Sequence, residues 1–187
     1  MTTITDEQMA ELLNPAPRFG TLADTWEMVR IDRERGYSLG RNDLPAALFD
    51  AFYGQTLTDL DEIAKGIEDA WTSAEWPQRL LDDENWVEMF RHVGYLHNDR
   101  RAPDRRPTEP LTLYRASTEE LNRNMAWTDD LEGARWFNDR NCGFGFDSKL
   151  WVAEVPPVAI LARFESARNE SEYVVETYCV DGITGVK

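Results

Sequence analysis

Glu170 and Glu172 stand one residue apart in this chain, directly ahead of the β-branched and aromatic run Tyr173-Val174-Val175. In an extended strand side chains alternate faces, so both carboxylates are expected to point the same way from the strand's leading edge. Like charges held that close raise each other's proton affinity and weaken the fold unless a ligand uses them. A carboxylate so placed can stabilise a carbon that turns cationic as its bond to a leaving group breaks. The plainer alternative is a charged strand start that discourages edge-to-edge aggregation. Two further groups with chemical capacity precede the pair. Arg115 ends the alternating run Leu111-Thr112-Leu113-Tyr114, and Thr128 follows Met125-Ala126-Trp127. Arginine offers a planar, permanently charged fork for an anionic ligand, and a threonine hydroxyl can donate or accept a hydrogen bond.

Strands are needed to hold these groups, and the second half of the chain supplies them. Leu111–Arg115 and Met125–Thr128 read as strands. Between them, Thr118–Arg123 reads as a short helix or loop. Lys149–Val155 and Val158–Phe164 flank Pro156-Pro157, as two strands or as one long strand with a proline corner. The Glu170 stretch is expected to run on as a strand to about Val180, with a short last strand within Asp181–Lys187. Asp129 is expected to cap a helix carrying Ala134, Trp136 and Phe137. Asn138–Asp147, with Gly143 and Gly145, reads as a glycine-broken loop.

The first half is helical in pattern. Thr5 and Gln8 form a capping box for a helix ending near Asn14-Pro15-Ala16-Pro17. A second helix is expected from Thr21 to about Arg35, with Leu22, Trp26 and Val29 on one face. Asp43 and Pro45 start a third, turning Leu48, Phe49 and Phe52 inward. Leu57, Leu60, Ile63, Ile67 and Trp71 give the cleanest helical period in the chain. One or two more helices cover Ala74–Val93, with Trp76, Leu80, Trp86, Phe90 and Val93. Residues 98–110 are rich in proline and hold four arginines, Arg100, Arg101, Arg105 and Arg106. That segment reads as an exposed linker entering a strand, or as a basic patch for an anionic partner. The expected organisation is therefore α+β: a helical region over 1–97, a linker over 98–110 and a β-rich core over 111–187. The helices and the core can form one compact domain.

Composition narrows the function classes. The chain has 187 residues, enough for one domain with an accessory layer, and is 42% hydrophobic and 11% aromatic. Seven tryptophans argue for tight packing or an aromatic-lined cleft. A net charge of −15 opposes general binding to nucleic acid or anionic membrane, both of which are polyanions. It leaves room for a small anionic ligand held by one or two local arginines. Cys142 and Cys179 form no CxxC pair, and His92 and His97 have no metal-ligand spacing, so neither a metal nor a disulfide framework is expected. The N-terminus has no basic segment followed by an apolar one, and no later run is long enough to span a bilayer. The expectation is a cytoplasmic protein.

In order and setting, Tyr114-Arg115, Trp127-Thr128 followed by Ala134 and Phe137, and Glu170-Ser171-Glu172 entering a strand resemble the Arg–Ser–Glu class of mono-ADP-ribosyltransferases. The resemblance covers about Leu111 to Val175. It implies a mixed, mainly antiparallel β-sandwich core of the ADP-ribosyltransferase type, packed with the helical layer, and NAD as co-substrate. Glu172 matches the catalytic glutamate that hydrogen-bonds a ribose hydroxyl, and Thr128 the hydroxyl that orients it. Arg115 would hold the pyrophosphate and its ribose, and the main chain at Ala116 the nicotinamide carboxamide. Trp127 or Phe137 would stack on the ring, although a helical Phe137 is also a natural core residue. Glu170, two residues before the catalytic position, implies arginine on a protein as the acceptor. Asn138–Lys149 and Ser166–Ser171 would border the acceptor site.

Chemically the set is coherent. Cleaving the nicotinamide–ribose bond develops positive charge on the ribose, as in other oxocarbenium-like glycosyl transfers, and a carboxylate beneath it stabilises that charge. Water in place of a protein acceptor would make the same site an NAD glycohydrolase. A third reading is a non-catalytic acidic inhibitor that occupies a basic or nucleic-acid-binding partner by charge mimicry. The size and acidity also fit a phage or bacterial effector, or toxin, acting on a bacterial intracellular protein.

Overall fold

A computed structural model describes residues 23–32, 36–165 and 171–186. The helix expected after Thr5, Leu22 in the next one, and Glu170 in the carboxylate pair lie outside the described residues. Those residues form six α-helices: α1 Trp26–Val29, α2 Leu44–Tyr53, α3 Leu60–Ser73, α4 Pro77–Leu80, α5 Asp83–Val93 and α6 Leu131–Gly143. The strands are β1 Ile31–Asp32, β2 Tyr37–Ser38, β3 Leu96–His97, β4 Arg100–Arg101, β5 Leu111–Ser117, β6 Ala126–Trp127, β7 Lys149–Val155, β8 Ile160–Glu165, β9 Ser171–Val175 and β10 Thr184–Gly185.

Local chemistry accounts for the main helices. Asp59 caps α3 by accepting from the main-chain nitrogens of Asp61 and Glu62, and those two carboxylates sit favourably in the first turn. Along α3, Ile63, Ile67 and Trp71 recur on one face and are buried. In α5 the same spacing buries Trp86, Met89, Phe90 and Val93, and Gly94, at φ 86°, ends the helix in a conformation that glycine tolerates best.

Several boundaries differ from the sequence expectation. Of the helix expected over 21–35, the described residues show a single turn, α1, after which β1 pairs with β2. The cap of α6 is Asp130, which accepts from Glu132 N at 3.0 Å, whereas Asp129 accepts from the Tyr173 hydroxyl at 3.1 Å. That helix continues to Gly143, so most of the expected loop after Phe137 is helical. β9 ends at Val175 and gives way to a 3-10 turn over Thr177–Cys179, short of the expected Val180. Within the expected linker, Arg100 and Arg101 form β4, paired with β3 in a hairpin.

Two sheets dominate, one of five strands in the order β4-β3-β8-β9-β6 and one of three in the order β10-β7-β5. Pairing is antiparallel throughout except for the parallel β3–β8 pair. The sheets do not close into a barrel, and one bridge, Tyr114 to Thr128, joins them. β7 and β8 are separate strands in different sheets, and Pro156 with the 3-10 turn Pro157–Ala159 makes the corner between them. The core divides accordingly. Leu161, Phe164 and Val174 pack with the helical residues Ile67, Trp71, Trp86 and Phe90. Tyr173, Val175 and Ile160 pack with Leu113, Trp151 and Val155 of the three-stranded sheet. Helices therefore cover one face of the five-stranded sheet and the smaller sheet lies on the other. One core cluster joins the helical residues to the five-stranded sheet, and a second lies between the two sheets.

Candidate active site

β5 and β9 do not pair, yet Arg115 and Glu172 meet. β6 is the intermediary: Ala126 and Trp127 pair with Val174 and Tyr173 on β9, and the next residue, Thr128, bridges to Tyr114 on β5. The bridge is closed by Tyr114 N to Thr128 O at 2.7 Å and Thr128 N to Tyr114 O at 2.9 Å. Register then fixes direction. Glu172 shares a face of β9 with Val174, which packs under the helices, so its carboxylate emerges on the helical side. There its Oε1 accepts a hydrogen bond from Trp71 Nε1 on α3.

Arg115 is tied by its own neighbourhood. Its Nε donates to Leu121 O at 3.0 Å, and its Nη1 donates to Ala126 O. Burial pulls the guanidinium down from its usual range to about 10, while Glu172 and then Asp83 act in the opposite direction. At neutral pH it remains a cation. Thr128 Oγ1 accepts from Asp130 N at 3.1 Å, which shapes the turn into α6.

Two adjoining cavities share Arg115, Ala126, Phe137 and Glu172 as walls. The smaller, about 300 Å³, is lined also by Ala116, Trp127 and Thr128 and by Ala134 and Asn141 of α6. The six expected site residues that are described, Arg115, Ala116, Trp127, Thr128, Phe137 and Glu172, thus meet at one cavity. Hydrogen-bonding direction alternates along a strand, so the Ala116 main chain points the same way as that of Tyr114, away from β7 and towards β6. Of the two rings, Trp127 is 2% exposed, part of the core between the sheets, and bonded through Nε1 to Asn124 O at 2.9 Å. Phe137 is 38% exposed and leans edge-on against Trp136, so it is not a core residue.

The larger cavity, about 780 Å³, has a wall that sequence reasoning missed. Glu68, Trp71 and Thr72 come from α3, Glu75 and Trp76 from the turn after it, and Arg79 from α4. Glu165 on β8 lies opposite. Burial first, and then Asp69 and Asp99, raise the proton affinity of Glu68. The Arg79 guanidinium stacks over the Trp76 ring at 4.8 Å. The helical period that exposed Trp71 to notice also explains the omission, because a Trp in such a stripe reads as core. Both volumes fall within the range usual for ligand sites, roughly 300–1,000 Å³. Among the described residues, no group of three or more His, Cys, Asp or Glu is arranged to hold a metal, and no helix is long and apolar enough to cross a membrane.

No protein-family model matches this sequence, and comparisons with curated proteins and with solved structures return no match.

Proposed function

We propose that this protein is a mono-ADP-ribosyltransferase that transfers ADP-ribose from NAD to an arginine on an acceptor protein, on a core of the ADP-ribosyltransferase type. One observation carries the reading: Arg115 on β5, Thr128 just after β6 and Glu172 on β9 line a single cavity with Ala116 and Phe137. In this reading Arg115 faces the pyrophosphate, and the exposed face of Phe137 stacks on the nicotinamide. The main chain of Ala116, which lines the same cavity, holds the carboxamide. The bond between C1′ of the ribose and the ring nitrogen breaks, and its electron pair leaves with nicotinamide, neutralising the pyridinium. The carboxylate of Glu172 stabilises the positive charge left on the ribose, which is where a fixed charge lowers the barrier most. A guanidinium nitrogen of the acceptor then bonds to C1′ and passes its proton to water.

The acceptor side is assigned to the larger cavity, where Glu68, Glu75 and Glu165 stand with Glu172 alongside Arg79 and Arg115, Glu75 and Glu165 being paired to Arg41 and Arg163. In the proposal Glu170 adds to that side. A bacterial intracellular protein is the proposed partner. The test is to incubate purified protein and its Glu172→Gln variant with labelled NAD and bacterial lysate, following nicotinamide release and labelled protein together. Labelled protein from wild type alone is the expected result. Nicotinamide release without labelled protein would make the enzyme an NAD glycohydrolase. Absence of both, or undiminished labelling by the variant, would end the reading.

A further inference from the structure

We infer that Trp71 is a positioning residue for Glu172, and that helix α3 is therefore part of the catalytic centre rather than an accessory layer. The inference rests on the transferase reading above. Its basis is the hydrogen bond from Trp71 Nε1 to Glu172 Oε1. The indole is 3% exposed and locked from two sides. Trp86 meets it edge-on at 5.1 Å and Phe90 at 5.8 Å, so the N–H cannot swing away without breaking the core. The helix is itself anchored close by, where Trp26 Nε1 donates to Asp69 at 2.8 Å and Trp26 N to Glu62 at 2.8 Å.

An indole N–H suits this task. It donates and cannot accept, and it does not titrate, so it orients a carboxylate without competing for a proton at any working pH. Glutamate is otherwise a long, rotamer-rich side chain, and a charge-stabilising group acts fully only when it is already in place as charge develops. Placing the donor on a different layer makes alignment of Glu172 depend on correct packing of α3 against the five-stranded sheet.

Two replacements separate the hydrogen bond from the packing. Trp71→Phe removes the N–H and part of the ring. Trp71→benzothienylalanine puts sulfur in place of Nε1–H and keeps the shape. Nicotinamide release from NAD is measured for both, with wild type and Glu172→Gln alongside, together with the unfolding temperature. Loss of alignment is expected to lower kcat about tenfold or more in both variants. KM for NAD should stay within about twofold, because alignment for the chemical step is what is lost. The benzothienylalanine variant should melt within about 2 °C of wild type, as packing is preserved. A benzothienylalanine variant with wild-type kcat, or a loss confined to KM, would overturn the inference while leaving the transferase reading intact. A wild type that releases no nicotinamide would end both.

Discussion

The guanidinium of Arg115 is clasped by the main-chain carbonyls of Leu121 and Ala126, six and eleven residues further along the chain. The carboxylate of Glu172 takes its hydrogen bond from an indole on α3, 101 residues earlier. One charged group is thus held by the local course of the backbone, and the other by a side chain from a different layer. The difference matters for how the site can fail. A main-chain clasp survives most substitutions around it and is lost chiefly when the arginine itself changes. The Trp71 contact depends on packing between α3, α5 and the five-stranded sheet, so disturbances far from the cleft reach it.

Breaking the Glu172 side chemically should have the largest effect. Glu172→Gln keeps size and an oxygen to accept from Trp71, but removes the charge. Nicotinamide release should fall on the order of 10³-fold, the scale seen for loss of one charge-stabilising group, with circular dichroism unchanged. Retained activity would show that the carboxylate charge plays no part in the chemical step.

Breaking the Arg115 side should instead cost stability. Arg115→Ala leaves the Leu121 and Ala126 carbonyls without their donors, at a penalty on the order of 3 kcal/mol in unfolding free energy. Urea denaturation measures it, and NAD binding should weaken in the same variant. Stability equal to wild type would contradict the clasp.

A smaller disturbance tests the dependence on layer packing. A Cβ at Gly66, in the middle of α3, would lie 2.8 Å from Leu48 Cδ1 and 3.0 Å from Trp26 Cε3. Leu48 is fully buried and Trp26 is nearly so. Gly66→Ala should therefore lower stability by about 1–3 kcal/mol through overpacking, despite the better helix propensity of alanine. Thermal unfolding gives the value, and kcat should fall with little change in NAD binding, because the Arg115 clasp is untouched.

The smallest effect appears only in alkali and involves one tyrosine from each region. Tyr53 in the helical layer donates to Glu88 at 2.8 Å, and Tyr173 on β9 donates to Asp129 at 3.1 Å. Burial first, and then the neighbouring carboxylate, push both phenols up to about 12. An unfolded chain releases these protons near pH 10. Between about pH 10 and 12 the folded state therefore binds more protons, so stability should fall as pH rises through that window and be flat below it. Tyr173→Phe should make the decline in urea midpoint shallower. An unchanged slope would exclude Tyr173 as a contributor.

Much of the site was legible because its clues are local. Alternation in Leu111–Arg115 and in Tyr173–Val175 marked strands that exist, and Ile63, Ile67 and Trp71 marked a helix that exists. The misplaced boundaries have local causes as well. Asp129 and Asp130 are equally good caps by type, and only the Tyr173 contact decides which of them serves. Gly143 suggested a broken loop, but a glycine at the last position of a helix fits its end. Among the described residues of the helix expected over 21–35, only Trp26–Val29 is helical, held by the ties from Trp26 to α3, and Ile31–Asp32 pair with Tyr37–Ser38 as a ribbon.

By itself, the sequence determined which groups are able to do chemistry and which face of each element they occupy, because side-chain type and strand or helix period are properties of neighbouring residues. Tertiary structure decided which groups meet. β6 bridges two sheets to bring Arg115 beside Glu172, and α3 reaches across to fasten that carboxylate through Trp71. Those contacts depend on how layers stack to bury apolar surface, a collective outcome that no local pattern encodes.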